Sequence, residues 1–116
     1  MKLFMLSYLY KMAKFMWLFV FFDLPTKTKK NKQKYTDFRR FLLKDGFMMM
    51  QYSVYARICK GDDSVDTHKK RVKEHLPSKG NIRMLSITDL QYSKMETLVG
   101  EKKEEEKCES KQLLLF

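Results

Sequence analysis

Cysteine is scarce in this chain of 116 residues: Cys59 and Cys108 are its only two, and neither belongs to a Cys-x-x-Cys pair. A disulfide framework of the secreted type needs more cysteines at regular spacing, and a structural zinc site needs paired ones. The sequence supports neither, and the low cysteine content indicates a reducing, cytoplasmic compartment.

A long uninterrupted apolar run is also missing. Lys11 and Lys14 divide the apolar N-terminal segment into pieces of about eight residues, whereas a membrane-spanning helix needs about 20. No small-residue cleavage site of a signal peptide follows the first piece. We therefore expect no membrane association, and we treat residues 1–14 as an N-terminal extension.

Acidic side chains are few relative to basic ones. The chain has 24 Lys and Arg against 14 Asp and Glu, a formal net charge of +10, within a composition that is 44% hydrophobic and 33% charged. These proportions are typical of a single globular domain. The excess of positive charge indicates a polyanion or an anionic surface as partner, the alternative being a basic protein without one.

The residue constellations of hydrolytic and metal chemistry are largely absent. His68 and His75 are separated by two helical turns, too far for the i, i+4 pairing of a metal site. With no carboxylate partner evident, they are expected to be partly buried helix residues. Ser53, in the segment QYSVY, has no recognisable histidine and acid partners, so acyl-transfer chemistry finds no support.

The first half of the chain predicts a strand followed by a helix. Residues 15–22, FMWLFVFF, form a continuous apolar run that favours a strand buried on both faces. Pro25 opens a predicted helix, Gly46 ends it, and an apolar stripe at helical spacing lies between them. The stripe consists of Tyr35, Phe38, Phe41 and Leu42.

From Phe47 to Ile58 the apolar period changes to two, which predicts a strand. One face would be apolar and pack against helices: Met48, Met50, Tyr52, Val54, Ala56 and Ile58. The other would meet water, a ligand or a second subunit: Phe47, Met49, Gln51, Ser53, Tyr55 and Arg57. The second strand of a hairpin is not clearly marked, and residues 57–61 could either lengthen this strand or begin a hairpin.

The remaining pattern completes an α+β domain. A helix with Val65, His68, Val72 and Leu76 on its apolar side precedes a strand at residues 81–87 and a short helix with a Thr88–Gln91 capping box. We predict a ferredoxin-like βαββαβ domain over residues 15–100. A charged linker at residues 101–111 and an extra C-terminal edge strand at residues 112–116 follow it. That strand would bind a partner through Leu113, Leu114, Leu115 and Phe116.

The first predicted helix is the strongest electrostatic feature. Its basic residues, opposed within the helix by Asp37 alone, suit binding to nucleic-acid backbone rather than base readout. A merely solvated helix face would more often carry glutamates at i, i+4. The basic residues are Lys27, Lys29, Lys30, Lys32, Lys34, Arg39, Arg40 and Lys44.

Asp23 stands at the end of the apolar strand and has two interpretations. It can cap the helix that follows, or it can be a functional carboxylate that contributes to a Mg²⁺ site. One carboxylate is a small ligand set for Mg²⁺. If the half-polar face of the second strand were a two-fold interface, both copies of Asp23 would face one cleft and share a metal.

Three segments together resemble the CRISPR-associated endoribonuclease-type family, the small subunits that join the CRISPR integrase in spacer acquisition. They are FFDLPTKTKK, FRRFLLKDGFMMMQYSVYARIC and KKRVKEHLPSKGNIRMLSIT, and the likeness runs from about residue 15 to residue 100. The terminal QLLLF resembles the closing strand of members found beside type II effector systems. The resemblance implies a ferredoxin-like fold and a homodimer with its sheets face to face.

The resemblance also implies a Mg²⁺ site made by Asp23 of each subunit, which would serve metal-dependent phosphodiester cleavage. The family's other role is structural: its dimer bridges two integrase dimers on duplex DNA. Three functions follow as hypotheses: a metal-dependent endonuclease acting on DNA or single-stranded RNA, a non-catalytic DNA-binding adaptor, and a stand-alone toxin-like ribonuclease. Phe22 replaces a frequent tyrosine, and Lys29, Lys30 and Lys32 stand where arginines are often seen. These departures weaken the nuclease hypothesis more than the binding one.

Overall fold

The computed structural model describes residues 15–100, which form a four-stranded antiparallel sheet with three helices. The elements in chain order are β1 (Met16–Asp23), α1 (Lys29–Lys44), β2 (Met48–Gln51), β3 (Val54–Cys59), α2 (Asp62–Lys73), β4 (Asn81–Thr88) and α3 (Asp89–Ser93). The strand order β2-β3-β1-β4 is that of a ferredoxin-like sheet, so the predicted fold class is confirmed. The N-terminal extension, the charged linker and the C-terminal strand lie outside the described residues.

The single strand predicted from Phe47 to Ile58 is in fact a hairpin. β2 and β3 are joined at Tyr52 and Ser53, and Ser53 adopts the left-handed backbone conformation with φ of 64°. Glycine or asparagine usually fills such a position, so a serine gave no turn signal. The apolar alternation also continues through the turn, which is why the two strands looked like one.

Side chains of β1 alternate between the two sides of the sheet. Leu18, Val20 and Phe22 pack beneath α1 and α2, against residues such as Phe38 and Val72. We call this the helix side. Trp17 and Phe19 lie on the opposite side, the open side, where α3 contributes Tyr92. Both sides of the central strand are therefore apolar, as its uninterrupted sequence predicted.

Helix α1 begins later than the sequence predicted, at Lys29 rather than near Pro25. The Thr28 hydroxyl accepts a hydrogen bond from the Asn31 backbone N–H at 3.0 Å and so caps the helix. At the other end, Gly46 has φ of 91° and ends the helix as predicted. Within residues 15–100, none of the helices has the length and apolar character needed to cross a membrane.

The remaining local predictions are mostly confirmed. Thr88 caps α3 and forms the expected capping box with Gln91. Val65, His68 and Val72 are the buried residues of α2. Leu76, predicted on this face, instead lies beyond the end of the helix and is half exposed.

Candidate nucleic-acid interface

Asp23 is an exposed residue at the last position of β1. Because it follows Phe19 and Phe21 in the strand alternation, it lies on the open side. Its direct cross-strand partner is Asn81, the first residue of β4, so these two side chains share one face. The capping interpretation of Asp23 is wrong, because Thr28 caps α1.

Two turns flank Asp23. On one side, the Phe22 backbone N–H donates to the Ser53 carbonyl oxygen at 3.1 Å, which holds the β2–β3 turn against the end of β1. On the other side, Gly80 packs so closely that an added Cβ would lie 2.7 Å from the Asp23 carbonyl oxygen. The backbone that carries the Asp23 carboxylate is therefore in contact with the β2–β3 turn on one side and with Gly80 on the other.

The basic residues of α1 are mostly exposed, and among residues 15–100 they have no acidic partners. In the part of the chain that the structure describes, the two ion pairs are His68–Asp45 and Arg71–Asp45, and neither involves a lysine. The helix's own Asp37 accepts a hydrogen bond from Gln33 instead. Within residues 15–100 the cationic face therefore carries uncompensated positive charge, as its lack of glutamates suggested.

Two of the predicted phosphate-binding residues have partners within the domain. Lys34 Nζ donates to Ser78 Oγ at 3.0 Å, and Arg39 Nε donates to the Tyr55 hydroxyl at 2.7 Å. Arg39 therefore has a structural function in orienting a buried tyrosine. The exposed members of the set are Lys27, Lys29, Lys30, Lys32, Arg39, Arg40 and Lys44.

The basic helix and Asp23 lie on opposite sides of the sheet. Helix α1 covers the helix side through Phe38 and Leu42, whereas Asp23 belongs to the open side. The cation nearest to Asp23 by strand register is Arg83, which pairs with Phe21 and is exposed. Sequence reasoning missed Arg83, although its position in NIRMLSIT, two residues after Asn81, places it on the same face.

The two faces of the hairpin lie opposite to the prediction: the set expected to pack against the helices lies on the open side, and the other set lies beneath the helices. Met48, Met50, Val54, Ala56 and Ile58 lie on the open side, away from α1 and α2. Phe47, Met49, Tyr55 and Cys59 pack under the helices instead. Both sets are largely apolar, so hydrophobicity alone did not distinguish the side that the helices cover.

The three residues predicted for the dimer interface therefore lie in different parts of the structure. Tyr55 is buried beneath the helices. Gln51 lines a groove of about 500 Å³ on the open side, together with Phe19, Phe21 and Leu85. Ser53 is half-buried in the β2–β3 turn. An interface on the open side would consequently include Gln51 but not Tyr55.

A buried polar cluster links α1, β3 and α2. His68 Nδ1 lies 2.7 Å from Asp45 Oδ2, and an Arg71 guanidinium nitrogen lies 3.0 Å from Asp45 Oδ1. The Arg57 guanidinium donates to the Asp45 carbonyl oxygen. His68 is buried, as predicted, but the expectation that it has no carboxylate partner is wrong. Asp45 and His68 are 23 residues apart, so no local spacing could have revealed the pair.

Burial raises the pKa of the neighbouring Cys59 thiol. A thiol that is hard to ionise at neutral pH is a poor nucleophile. The cluster and Cys59 together act as part of the domain's packing rather than as a reactive site.

The donor set at Asp23 is chemically suitable for a hard cation. Mg²⁺ prefers carboxylate and carbonyl oxygens and retains several waters. Asp23 offers a carboxylate and Asn81 an amide oxygen at the adjacent cross-strand position. No cluster of three or more His, Cys, Asp or Glu side chains occurs within residues 15–100. Among residues 15–100, this strand end therefore offers two oxygen-bearing side chains, Asp23 and Asn81, and no larger set of metal ligands.

The described residues define a basic ferredoxin-like domain with an exposed strand-end carboxylate and an apolar open side. A family model described as CRISPR associated protein Cas2 matches residues 16–95. The chain belongs to this family, which confirms the resemblance seen in the sequence.

Three relatives are similar over most of their length, and each is named CRISPR-associated endoribonuclease Cas2. That of Flavobacterium psychrophilum is 44% identical over 101 residues, covering 87% of this chain and 88% of the relative. That of Parvibaculum lavamentivorans is 44% identical, covering 87% and 100%. That of Acidovorax ebreus is 45% identical over 100 residues, covering 85% and 98%.

Proposed function

We propose that the chain is a spacer-acquisition subunit that binds nucleic acid as a homodimer and bridges integrase dimers. The observation that carries the proposal is the exposed basic surface of α1, whose lysines have no acidic partner among the described residues. Family membership supports the CRISPR context. A cytoplasmic location follows from that context as part of the proposal.

We further propose that Asp23 supports metal-dependent cleavage of a phosphodiester bond. The names of the relatives, which describe endoribonucleases, favour this activity. Asp23 and Asn81 would hold the Mg²⁺, which supplies charge neutralisation at a phosphate oxygen and a more acidic bound water. Arg83 is placed on the same side and would contact the substrate's phosphate.

The homodimer would form through the open side, because that side is where Asp23 and the exposed apolar residues lie together. Phe21, Leu85 and Met95 are each between 37% and 53% exposed and border one groove. Pairing two open sides would cover these residues and bring the two copies of Asp23 to one interface. The helix-side cations of both copies would then face outward, toward nucleic acid.

A purely structural adaptor is the second candidate, and one observation favours it. The cations of α1 and the carboxylate of Asp23 occupy different sides of the sheet, so backbone phosphates held by α1 need not approach Asp23. In this case duplex DNA would be the ligand. The terminal residues Leu113–Leu115 and Phe116 would be the integrase-binding strand. A stand-alone toxin-like ribonuclease is the third possibility and would need no integrase.

Replacing Asp23 by alanine tests the proposed catalysis. Labelled single-stranded RNA and duplex DNA are incubated with purified protein in Mg²⁺ or EDTA, and spacer integration by the integrase is measured in parallel. We expect metal-dependent cleavage that falls by at least about 100-fold in Asp23→Ala, because the variant lacks the metal-binding carboxylate. Asp37→Ala is the matched control, since Asp37 is an exposed carboxylate on α1.

The two readouts distinguish the candidates. Equal cleavage by wild type and Asp23→Ala would contradict the catalytic proposal. Absence of cleavage, together with integration that depends on the chain, would support the adaptor. Cleavage with no effect of the chain on integration would support the stand-alone ribonuclease and contradict the spacer-acquisition role.

A further inference from the structure

Three aromatic rings form a column from the core to the surface on the helix side, at the end of β1. Phe22 is buried, Tyr35 of α1 is half-buried, and Tyr52 of the β2–β3 turn is 76% exposed. The ring centroids of Phe22 and Tyr35 are 5.9 Å apart, and those of Tyr35 and Tyr52 are 6.3 Å apart with an angle of 26° between the ring planes. Tyr35 thus supports the outermost ring from below.

The outermost ring packs against Tyr35 instead of projecting alone into solvent. The ring of Tyr52 stacks on the ring of Tyr35, with 26° between the two ring planes. Burial raises the pKa of the Tyr35 hydroxyl, and the neighbouring Tyr52 side chain contributes in the same direction. The next residue, Ser53, accepts the backbone hydrogen bond from Phe22, the neighbour of Asp23. The position of Tyr52 is therefore coupled to the strand end that carries Asp23.

Positive charge lies close to this column along α1. Lys32 precedes Tyr35 by three residues, so the two side chains are neighbours on the helix surface. Lys32 is exposed, and within residues 15–100 it forms no ion pair. An exposed aromatic ring beside unpaired lysines is the combination that binds single strands: phosphates contact the cations and unpaired bases stack on the ring.

The geometry points to Tyr52 as a stacking residue for an unpaired base of single-stranded nucleic acid, with Tyr35 as its supporting residue. This inference deepens the proposed function and rests on nucleic-acid binding by the domain. Stacking one base on Tyr52 would fix the register of the strand relative to the lysines of α1. Duplex DNA, whose bases are already stacked and paired, would not use this ring.

The test compares Tyr52→Leu with Tyr52→Phe. The probe is a single-stranded oligouridine that contains one 2-aminopurine, a base whose fluorescence falls when it stacks on an aromatic ring. We expect Tyr52→Leu to bind about tenfold more weakly and to lose the fluorescence quenching, because the aromatic face is removed. Tyr52→Phe should retain both, since it keeps the ring. Leu76→Ala, which changes another exposed apolar residue, is the control and should bind like wild type.

Two further measurements, the affinity for duplex DNA and the affinity for an abasic probe, test whether an unpaired base is what contacts Tyr52. Affinity for duplex DNA should be unchanged in Tyr52→Leu, and replacing the 2-aminopurine by an abasic site should weaken binding to the wild type. Equal quenching in wild type and Tyr52→Leu, equal losses in the two Tyr52 variants, or an abasic site without effect would each overturn the inference. Absence of binding to any nucleic acid by the wild type would overturn the proposed function itself.

Discussion

At the scale of single residues, Asp45 contributes most clearly to the structure. Its carboxylate is 8% exposed and contacts His68 and Arg71, while its backbone carbonyl accepts from Arg57. It follows α1 directly and so connects the end of that helix to β3 and α2. Removing a charge from such a cluster leaves buried polar partners unsatisfied, which costs more than the original contact is worth.

Asp45→Asn should lower the free energy of unfolding by about 1–3 kcal/mol. The amide keeps the side-chain volume but removes the negative charge that His68 and Arg71 face. Because Arg71 is half exposed, most of the loss should come from the buried contact with His68. Urea-induced unfolding at neutral pH and one fixed protein concentration measures this change.

The matched control for Asp45 is Asp37→Asn. Asp37 is exposed and accepts from Gln33 on the same helix, so its replacement should change stability by less than about 0.5 kcal/mol. Equal stability of Asp45→Asn and Asp37→Asn would show that the buried cluster contributes nothing beyond a surface contact.

At the scale of secondary-structure elements, the junction between the end of β1 and the start of β4 determines how closely the backbones of Asp23 and Asn81 approach. Gly80 precedes β4 with φ of 106° and leaves no space for a side chain. A Cβ there would lie 2.6 Å from Leu24 Cδ2 and 2.7 Å from the Asp23 carbonyl oxygen. The backbone that carries Asp23 and the backbone that carries Asn81 can approach because this residue is glycine.

Gly80→Ala should destabilise the domain by more than about 2 kcal/mol, because backbone strain and a steric clash both oppose it. Gly100→Ala is the matched control: Gly100 also has a positive φ, of 103°, but among residues 15–100 no atom would lie within 4 Å of an added Cβ. This variant reports backbone strain alone and should cost less. Thermal unfolding followed by circular dichroism compares the two, and equal losses would contradict a close approach at Gly80.

At the scale of the whole molecule, the two sides of the sheet have different chemistry. The helix side carries the cations of α1 on its outer surface, and the open side carries exposed apolar residues. Phe21, Leu85 and Met95 share the open-side groove with Gln51. An exposed apolar patch next to a carboxylate is typical of an interaction surface rather than of a solvated face.

Leu85→Lys should weaken self-association by about tenfold or more, because it places a charge within the apolar surface proposed as the interface. Leu85 is 53% exposed, so the folded monomer should tolerate the change. Leu76→Lys, at 50% exposure but outside the open-side groove, is the control and should associate like wild type. Analytical ultracentrifugation measures both, and unchanged association of Leu85→Lys would contradict an open-side dimer.

The sequence predicted the order of elements well wherever local signals were strong. The apolar run of β1, the capping box at Thr88 and the glycine that ends α1 each specify a local structure through short-range physics. The hairpin was missed because Ser53 provides no recognised turn signal. Helix α1 starts later than predicted because the Thr28 hydroxyl makes the capping hydrogen bond, whereas Pro25 lies outside the helix.

The amino-acid sequence by itself determined the fold class, the basic α1 and the position of Asp23 at a strand end, since these depend on periodicity and composition. The tertiary structure alone decided which side of the hairpin the helices cover, because both of its faces are apolar. It likewise brought Asp45 to His68 and placed Arg83 near Asp23. Contacts between residues far apart in sequence arise from packing the elements together, and no local pattern encodes them.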